Sequence, residues 1–245
     1  MPDERELKEL FFKQIEELAK IDHCRDLRAG KPEAIFAEFK EPEEIIKIAR
    51  GYLESAGKVL VTRADKSVIE SLKNEFEPSG YCVRINKKGR TVIIDRDALG
   101  ASKKEKTGRI AIVTAGTSDI AVAEEAASTA EFLGMEVLKF YDVGVAGIHR
   151  LVEPLKKINS EEVDAIIAVA GMEGALPSVI AGLVDIPVIA VPTSVGYGTN
   201  LNGLTTLFAM LQSCSSGVAV VNIDNGFGAA VFASMISRKV RKSPI

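Results

Sequence analysis

A chain of 245 residues can form one large domain or two smaller ones, each able to bury a core. Its 31 basic and 34 acidic side chains leave it near neutrality, which excludes the strong basic field of a nucleic-acid or anionic-membrane binder. No apolar run reaches the roughly 20 residues that span a bilayer, and the charged N-terminus has no signal-peptide core, so a cytoplasmic protein is expected.

The charge is unevenly spread. Residues 1–107 hold 43 charged side chains and six glycines, whereas residues 108–245 hold 22 and fourteen. The expected organisation is a small N-terminal domain over 1–107 and a glycine-punctuated α/β domain over 108–245, with Arg96–Gly108 as linker. Three cysteines, Cys24, Cys82 and Cys214, are widely spaced and form no CxxC pair, which argues against a disulfide framework or a thiolate zinc site.

From Asp3 to Ile21 the residues Leu7, Leu10, Phe11, Ile15 and Leu18 recur at helical spacing and predict an amphipathic helix. Asp22–Lys40, broken by Gly30 and Pro32, reads either as a connector or as a polar loop reaching another subunit. Pro42 opens a second helix that turns Ile45, Ile46, Ala49 and Leu53 inward. Lys58–Thr62 reads as a strand, Ser67–Phe76 as a helix, and Tyr81–Ile85 with Thr91–Asp95 as a hairpin around Asn86–Gly89. The result is a small α/β or α+β domain with no catalytic constellation, in which His23 and Cys24 are too isolated to be ligands.

The remainder repeats one unit: apolar strand, polar glycine-bearing loop, helix. Arg109–Ala130 is the first, with a strand Ile110–Val113 and the loop AGTSD. Strands at Met135–Val143, Val163–Ala170, Pro187–Val191 and Val218–Ile223 follow, leading into GVAGIHR, GMEGALP, PTSVGYGTN with a helix Leu201–Cys214, and DNGFGAA. Continuously apolar strands alternating with helices predict a five-stranded parallel, doubly wound, flavodoxin-like sheet. Ligands of such sheets bind at the carboxyl ends of the strands, where all five loops carry glycine. Neither GxGxxG nor GxxxxGK[ST] is present, so a dehydrogenase or P-loop enzyme is not expected.

The motifs VTAGTSD, YDVGVAGIHR, AVAGMEGALPSVIAG, VPTSVGYG and VVNIDNGFGAA, in this order over Arg109–Ser237, resemble the pyridinium-3,5-biscarboxylic acid mononucleotide synthases. That family works in nickel-pincer cofactor biosynthesis and is related to the purine-pathway aminoimidazole ribonucleotide carboxylases and mutases. RAGKPEAIF resembles its N-terminal region. FAEFK departs from the glycine-containing pattern there and leaves Glu33 and Lys40 outside the expected site. Where the purine enzymes carry the histidine of an AHLPG-type motif, this chain has Ala175, two residues after Glu173.

The resemblance implies a substrate, nicotinic acid adenine dinucleotide, with carbon dioxide or bicarbonate as co-substrate. The implied reaction carboxylates the pyridinium ring and hydrolyses the phosphoanhydride to release AMP. An electron-poor ring attacks carbon dioxide only after a nucleophile has added to it, and a thiolate both adds and leaves readily. Cys214 in LQSCSSG matches the family's cysteine. It is either that nucleophile or a small buried hydrophobe. Its place at a helix C-terminus, on the sheet edge opposite the loops, makes the first role depend on a neighbouring subunit. A homo-oligomer sharing its active sites is therefore expected, in keeping with a surplus of apolar residues between Leu201 and Met235.

The remaining assignments stay double. Asp119 caps its helix, or orients substrate or a bound ion. Glu173 is the candidate base for the ring proton. His149 and Arg150 are surface residues, or both bind substrate, with Arg150 holding phosphate or carboxylate through its planar fork. Gly116, Thr117, Ser118, Gly171, Thr193, Ser194 and Asn225 are expected to bind phosphate or ribose. Mg²⁺ is expected for phosphoanhydride cleavage, with no ligands assigned. The other readings are a purine-pathway carboxylase or mutase and a non-catalytic nucleotide-binding module.

Overall fold

The computed structural model describes residues 13–15, 19–22, 33–96 and 106–242. The chain divides into two compact units, Met1–Lys104 and Glu105–Ile245. His23, Cys24, the loop around Arg25 and linker residues 97–105 lie outside the described residues.

In the first unit the expected helix over Asp3–Ile21 is overturned where the chain is described. Lys13–Ile15 (β1) and Ala19–Ile21 (β2) pair antiparallel, with Lys13 opposite Ile21. A short segment gains little from helical periodicity alone, and pairing against a folded neighbour outweighs it. The rest follows its local signals. Helix α1 (Pro42–Ala56) has proline in its first turn and ends at Gly57, at φ 72°. Helix α2 (Lys66–Phe76) is capped by Asp65, whose carboxylate accepts from the Val68 amide.

These helices pack on a four-stranded sheet in the order β3 (Ile35–Phe36), β4 (Lys58–Thr62), β6 (Thr91–Asp95), β5 (Cys82–Asn86). The β3–β4 pair is parallel and the other pairs antiparallel. Ile45, Leu53, Leu60, Leu72, Phe76 and Ile94 are fully buried. In FAEFK, Phe39 is 97% exposed at φ 67°, the left-handed region that glycine enters without strain. Glu33 accepts from the Tyr52 hydroxyl and the Lys40 ammonium donates to the Phe36 carbonyl.

The second unit is a five-stranded, all-parallel sheet of β7 (Arg109–Thr114), β8 (Glu136–Phe140), β9 (Ala165–Ala170), β10 (Val188–Pro192) and β11 (Val218–Val220). Its spatial order is β11-β10-β9-β7-β8, the flavodoxin-like order whose switch point lies between the first and third strands. Every residue of β9 and β10 is buried, as strands covered on both faces require.

Helices α3 (Ile120–Phe132) and α7 (Gly226–Lys242) cover one face through small residues, among them Ala123, Ala126, Ala130, Ala229 and Ala233. Helices α4 (Val152–Ser160), α5 (Leu176–Ala181) and α6 (Leu204–Leu211) cover the other, through Leu151, Ile158, Leu176, Ile180 and Met210. The expected helix Leu201–Cys214 is shorter than its apolar pattern. Leu201 and Asn202 are left-handed at φ 48° and 54°, so α6 starts after Gly203, and Cys214 lies beyond its end.

At the amino edge of this sheet the Asp164 carboxylate accepts from the Arg109 amide at 2.9 Å, the Ser237 hydroxyl at 2.6 Å and the Arg241 guanidinium at 2.9 Å. The Arg109 side chain itself reaches Glu136 and Glu161. Asp164 is thus the joint between α7 and the first and third strands. Asp164→Ala removes the acceptor of the Arg109 amide and the Ser237 hydroxyl, while the exposed Arg241 returns to water, and is expected to lower stability by about 2–4 kcal/mol, read as a lower denaturant midpoint without a change in slope.

Candidate active site

The five loops leaving the carboxyl ends of β7–β11 are tied to one another through hydrogen bonds. The Val143 amide donates to Thr114, Met172 to Val195, Thr193 to Ala170 and Asp224 to Pro192. Four of these loops contain a non-glycine residue held left-handed: Asp142 at φ 58°, Met172 at 52°, Leu201 and Asn202, and Asp224 at 55°. Asp142, Asn202 and Asp224 are of the types that enter this region most readily, whereas Met172 and Leu201 each cost on the order of 1–2 kcal/mol there.

Asp119 joins the loops. It is 4% exposed, and its carboxylate accepts from the Gly116 amide at 2.9 Å and from the Thr193 hydroxyl at 2.8 Å. The Gly171 amide also favours its ionised form. The carboxylate closes a capping box on the 3-10 turn Thr117–Asp119 through the Gly116 amide and also reaches across to β10, while it makes no cap bond to α3 itself. Burial pushes the Asp119 carboxyl above the ordinary aspartate value. The hydrogen bonds from Gly116, Thr193 and Gly171 oppose that rise, and the nearby Asp224 charge adds to it.

Two glycines are required for close approach. A Cβ on Gly171 would meet the Thr193 hydroxyl at 2.7 Å and would strike the Val195 carbonyl. Gly203, at φ 92°, lets α6 begin against the Thr193 carbonyl, which an added Cβ would meet at 2.8 Å.

Sequence reasoning missed the polar clip beneath the β10 loop. Asn200 is 7% exposed; it donates to the Ser194 carbonyl and accepts from the Thr206 hydroxyl, which also meets the Met172 carbonyl. It missed Asp224 as well, whose carboxylate accepts from the Ser194 amide at 2.8 Å. An aspartate directly before Asn-Gly at a strand end was the available signal for that residue.

The predicted site residues fall into three groups. Gly116, Asp119, Gly171 and Thr193 form the floor just described. Thr117, Ser118, Glu173 and Ser194 are exposed on the same loops, while Asn225 caps α7 by accepting from the Gly228 amide. His149 and Arg150 stand in a 3-10 turn, Val145–Leu151, with Arg150 paired to Asp142 at 2.9 Å. Cys214 is apart from all of them. It is exposed, which overturns the buried-hydrophobe reading, and it precedes the amino end of β11. Helix α6 is about 12 Å long and starts at the loops, and Cys214 lies beyond its far end, so within one subunit the thiol stands apart from the loops.

Among the described residues no group of three or more His, Cys, Asp or Glu side chains converges as a metal site. No helix among them is long and apolar enough to cross a membrane.

Residues 109–243 match the family model described as AIR carboxylase, and residues 12–96 match the LarB/PurE-like N-terminal domain. The chain belongs to the AIR carboxylase family. Within it, the chain is 48% identical over 242 residues to an uncharacterized protein of Methanocaldococcus jannaschii, covering 98% of this chain and 91% of that one. It is 36% identical over 126 residues to the N5-carboxyaminoimidazole ribonucleotide mutase of the same organism, covering 51% of this chain and 75% of the mutase. The crystal structure of a PurE2 variant from Treponema denticola is similar at TM-score 0.44 and 22% identity, covering 54% of this chain and 87% of that chain. Family membership points to chemistry of the carboxylase or mutase type.

Proposed function

We propose that this member of the family carboxylates the pyridinium ring of nicotinic acid adenine dinucleotide and hydrolyses its phosphoanhydride, releasing AMP and pyridinium-3,5-biscarboxylic acid mononucleotide. The observation that carries the reading is the N-terminal domain. A LarB/PurE-like stretch over 12–96 precedes the carboxylase domain, whereas the mutase relative aligns with 126 residues of this chain. Ala175, standing where the purine enzymes are expected to carry a histidine, supports it.

The Cys214 thiolate adds to a ring carbon conjugated to the pyridinium nitrogen, and the ring becomes a dihydropyridine with an enamine-like neighbouring carbon. That carbon attacks carbon dioxide. Glu173 then takes the proton from the same carbon, the electron pair restores the aromatic ring and the thiolate leaves. Water cleaves the phosphoanhydride. Arg150 and the hydroxyls and amides of Thr117, Ser118, Thr193 and Ser194 hold phosphate and ribose oxygens. Because Cys214 lies at the amino edge of its own sheet, the thiolate comes from another copy and the enzyme works as a homo-oligomer.

Purified protein given the dinucleotide and bicarbonate is expected to yield AMP and a mononucleotide heavier by one carboxyl group, followed by mass spectrometry. Neither product appearing, with or without divalent ions, would reject the reading. The mutase relative favours one other function, turnover of aminoimidazole ribonucleotide substrates. Conversion of those, and not of the dinucleotide, would replace the proposal.

A further inference from the structure

Among the described residues of the second unit, Tyr197 is the most exposed large side chain of apolar character, at 81%. It stands on the loop that leaves β10, and the backbone of that loop is pinned. Beyond the clip made by the Asn200 side chain, the Asn200 amide donates to the Tyr197 carbonyl and the Thr205 hydroxyl to the Thr199 carbonyl. Gly196 packs against Asn200, whose side-chain nitrogen an added Cβ would meet at 2.6 Å, and Gly198 turns the chain at φ 62°. A ring carried on a fixed backbone is preorganised for stacking, since only two side-chain torsions remain to be restrained.

The surroundings select the ring it would stack on. The Met172 amide donates to the Val195 carbonyl at 3.3 Å, so Glu173 and Tyr197 leave adjacent loops one and two residues from that bond. Asp224 reaches the β10 loop through the Ser194 amide, and Asp119 through the Thr193 hydroxyl. Three carboxyl groups therefore flank a loop that offers no charge of its own, because from Ile186 to Ile223 the sequence contains no Asp, Glu, Lys, Arg or His. Of the five carboxyl-edge loops, only the one after β8 holds basic residues, His149 and Arg150. It lies three strand spacings from the β10 loop, roughly 14 Å. This polarity sets phosphate toward β8 and a cationic ring toward β10, with ribose between.

Of the two ring systems in the dinucleotide, the pyridinium alone is cationic. The face of a phenol ring attracts a cation, whereas neutral adenine gains stacking only. We infer that Tyr197 recognises the pyridinium ring, stacking on its face beside Glu173 and selecting a positively charged ring over a neutral one. The inference rests on the functional reading above for the identity of the substrate, and on the exposed ring, its fixed loop and the flanking carboxyl groups for the site.

Binding tests it without turnover. Nicotinic acid mononucleotide, with a cationic ring, and its dihydro form, with a neutral one, are titrated by calorimetry into the wild type, Tyr197→Ala and Tyr197→Phe. The wild type is expected to prefer the cationic ring by about ten-fold. Tyr197→Ala should lose about ten-fold in affinity for the cationic ring and at most about three-fold for the neutral one, while Tyr197→Phe keeps the aromatic face and stays within about three-fold of wild type for both. AMP, as a control for the loop, should bind all three proteins equally. Equal losses for both rings, an unchanged affinity in Tyr197→Ala, or no measurable binding of the cationic ring by the wild type overturns the inference. A loss of AMP binding in Tyr197→Ala as large as that of the mononucleotide overturns it too, because the loop and not the ring contact would then be responsible.

The chain has no tryptophan and four tyrosines, which gives a second readout. The bound pyridinium should quench more tyrosine emission in the wild type than in Tyr197→Phe, and equal quenching overturns the stack. A wild type that binds the cationic ring through Tyr197 yet leaves the dinucleotide untouched rejects the functional reading alone. A Tyr197→Ala variant that carboxylates the dinucleotide with the wild-type KM rejects the stacking alone.

Discussion

Replacing Cys214 with serine is expected to lower carboxylation of the dinucleotide by about a thousand-fold or more, the scale seen when a covalent nucleophile is removed from a preorganised site. The fold should be unaffected, because Cys214 is exposed and packs in no core of its own subunit. Serine keeps the size and loses the thiolate, and a hydroxyl neither ionises near neutral pH nor leaves easily from a ring carbon. Mixing the Cys214→Ser chain with an Asp119→Ala chain sharpens the test. If each site combines the loops of one copy with the thiol of another, mixed oligomers regain part of the activity that neither chain has alone. A rate unchanged by Cys214→Ser removes the thiolate from the mechanism.

Asp119→Ala is expected to cost both stability and activity. It strands the Gly116 amide and the Thr193 hydroxyl, donors that now reach one buried carboxylate. At about 1–3 kcal/mol for each orphaned donor, a loss of roughly 2–6 kcal/mol follows in denaturant unfolding. The loops after the first, third and fourth strands lose their common tie, and displacements of about 1 Å there lower kcat/KM on the order of a hundred-fold.

Asp119→Asn separates charge from shape. Burial raises the folded carboxyl above the ordinary aspartate value, so the native state holds the proton more tightly than the unfolded chain. That contribution to stability is full below the unfolded value and is lost as pH rises through the folded one. Across that window the wild type should lose stability relative to Asp119→Asn. A difference between the two that stays constant with pH would show that burial does not govern the carboxyl.

Much of the second unit was legible because its signals are local. An unbroken apolar run such as Ala165–Ala170 suits a strand covered on both sides, and repeated strand-loop-helix units with right-handed crossovers leave few sheet orders open. The same logic placed Gly116, Gly171 and Thr193 at the carboxyl edge. Local signals failed where a partner distant in sequence decided. The apolar pattern over Asp3–Ile21 suits a helix, yet Lys13–Ile15 and Ala19–Ile21 pair as strands.

What the sequence determined alone was, in the second unit, the order of elements, the sheet they build and the edge at which its polar loops gather, since periodicity, glycine and proline act within a few residues. Tertiary structure alone decided the rest. The tie from Asp119 to Thr193 spans 74 residues. The left-handed turn at Leu201 and Asn202 is held by neighbours, because leucine does not favour it unaided. The outward face of Phe208 and the position of Cys214 opposite the loops follow from how α6 lies on the sheet, which depends on contacts between segments that no short window of sequence contains.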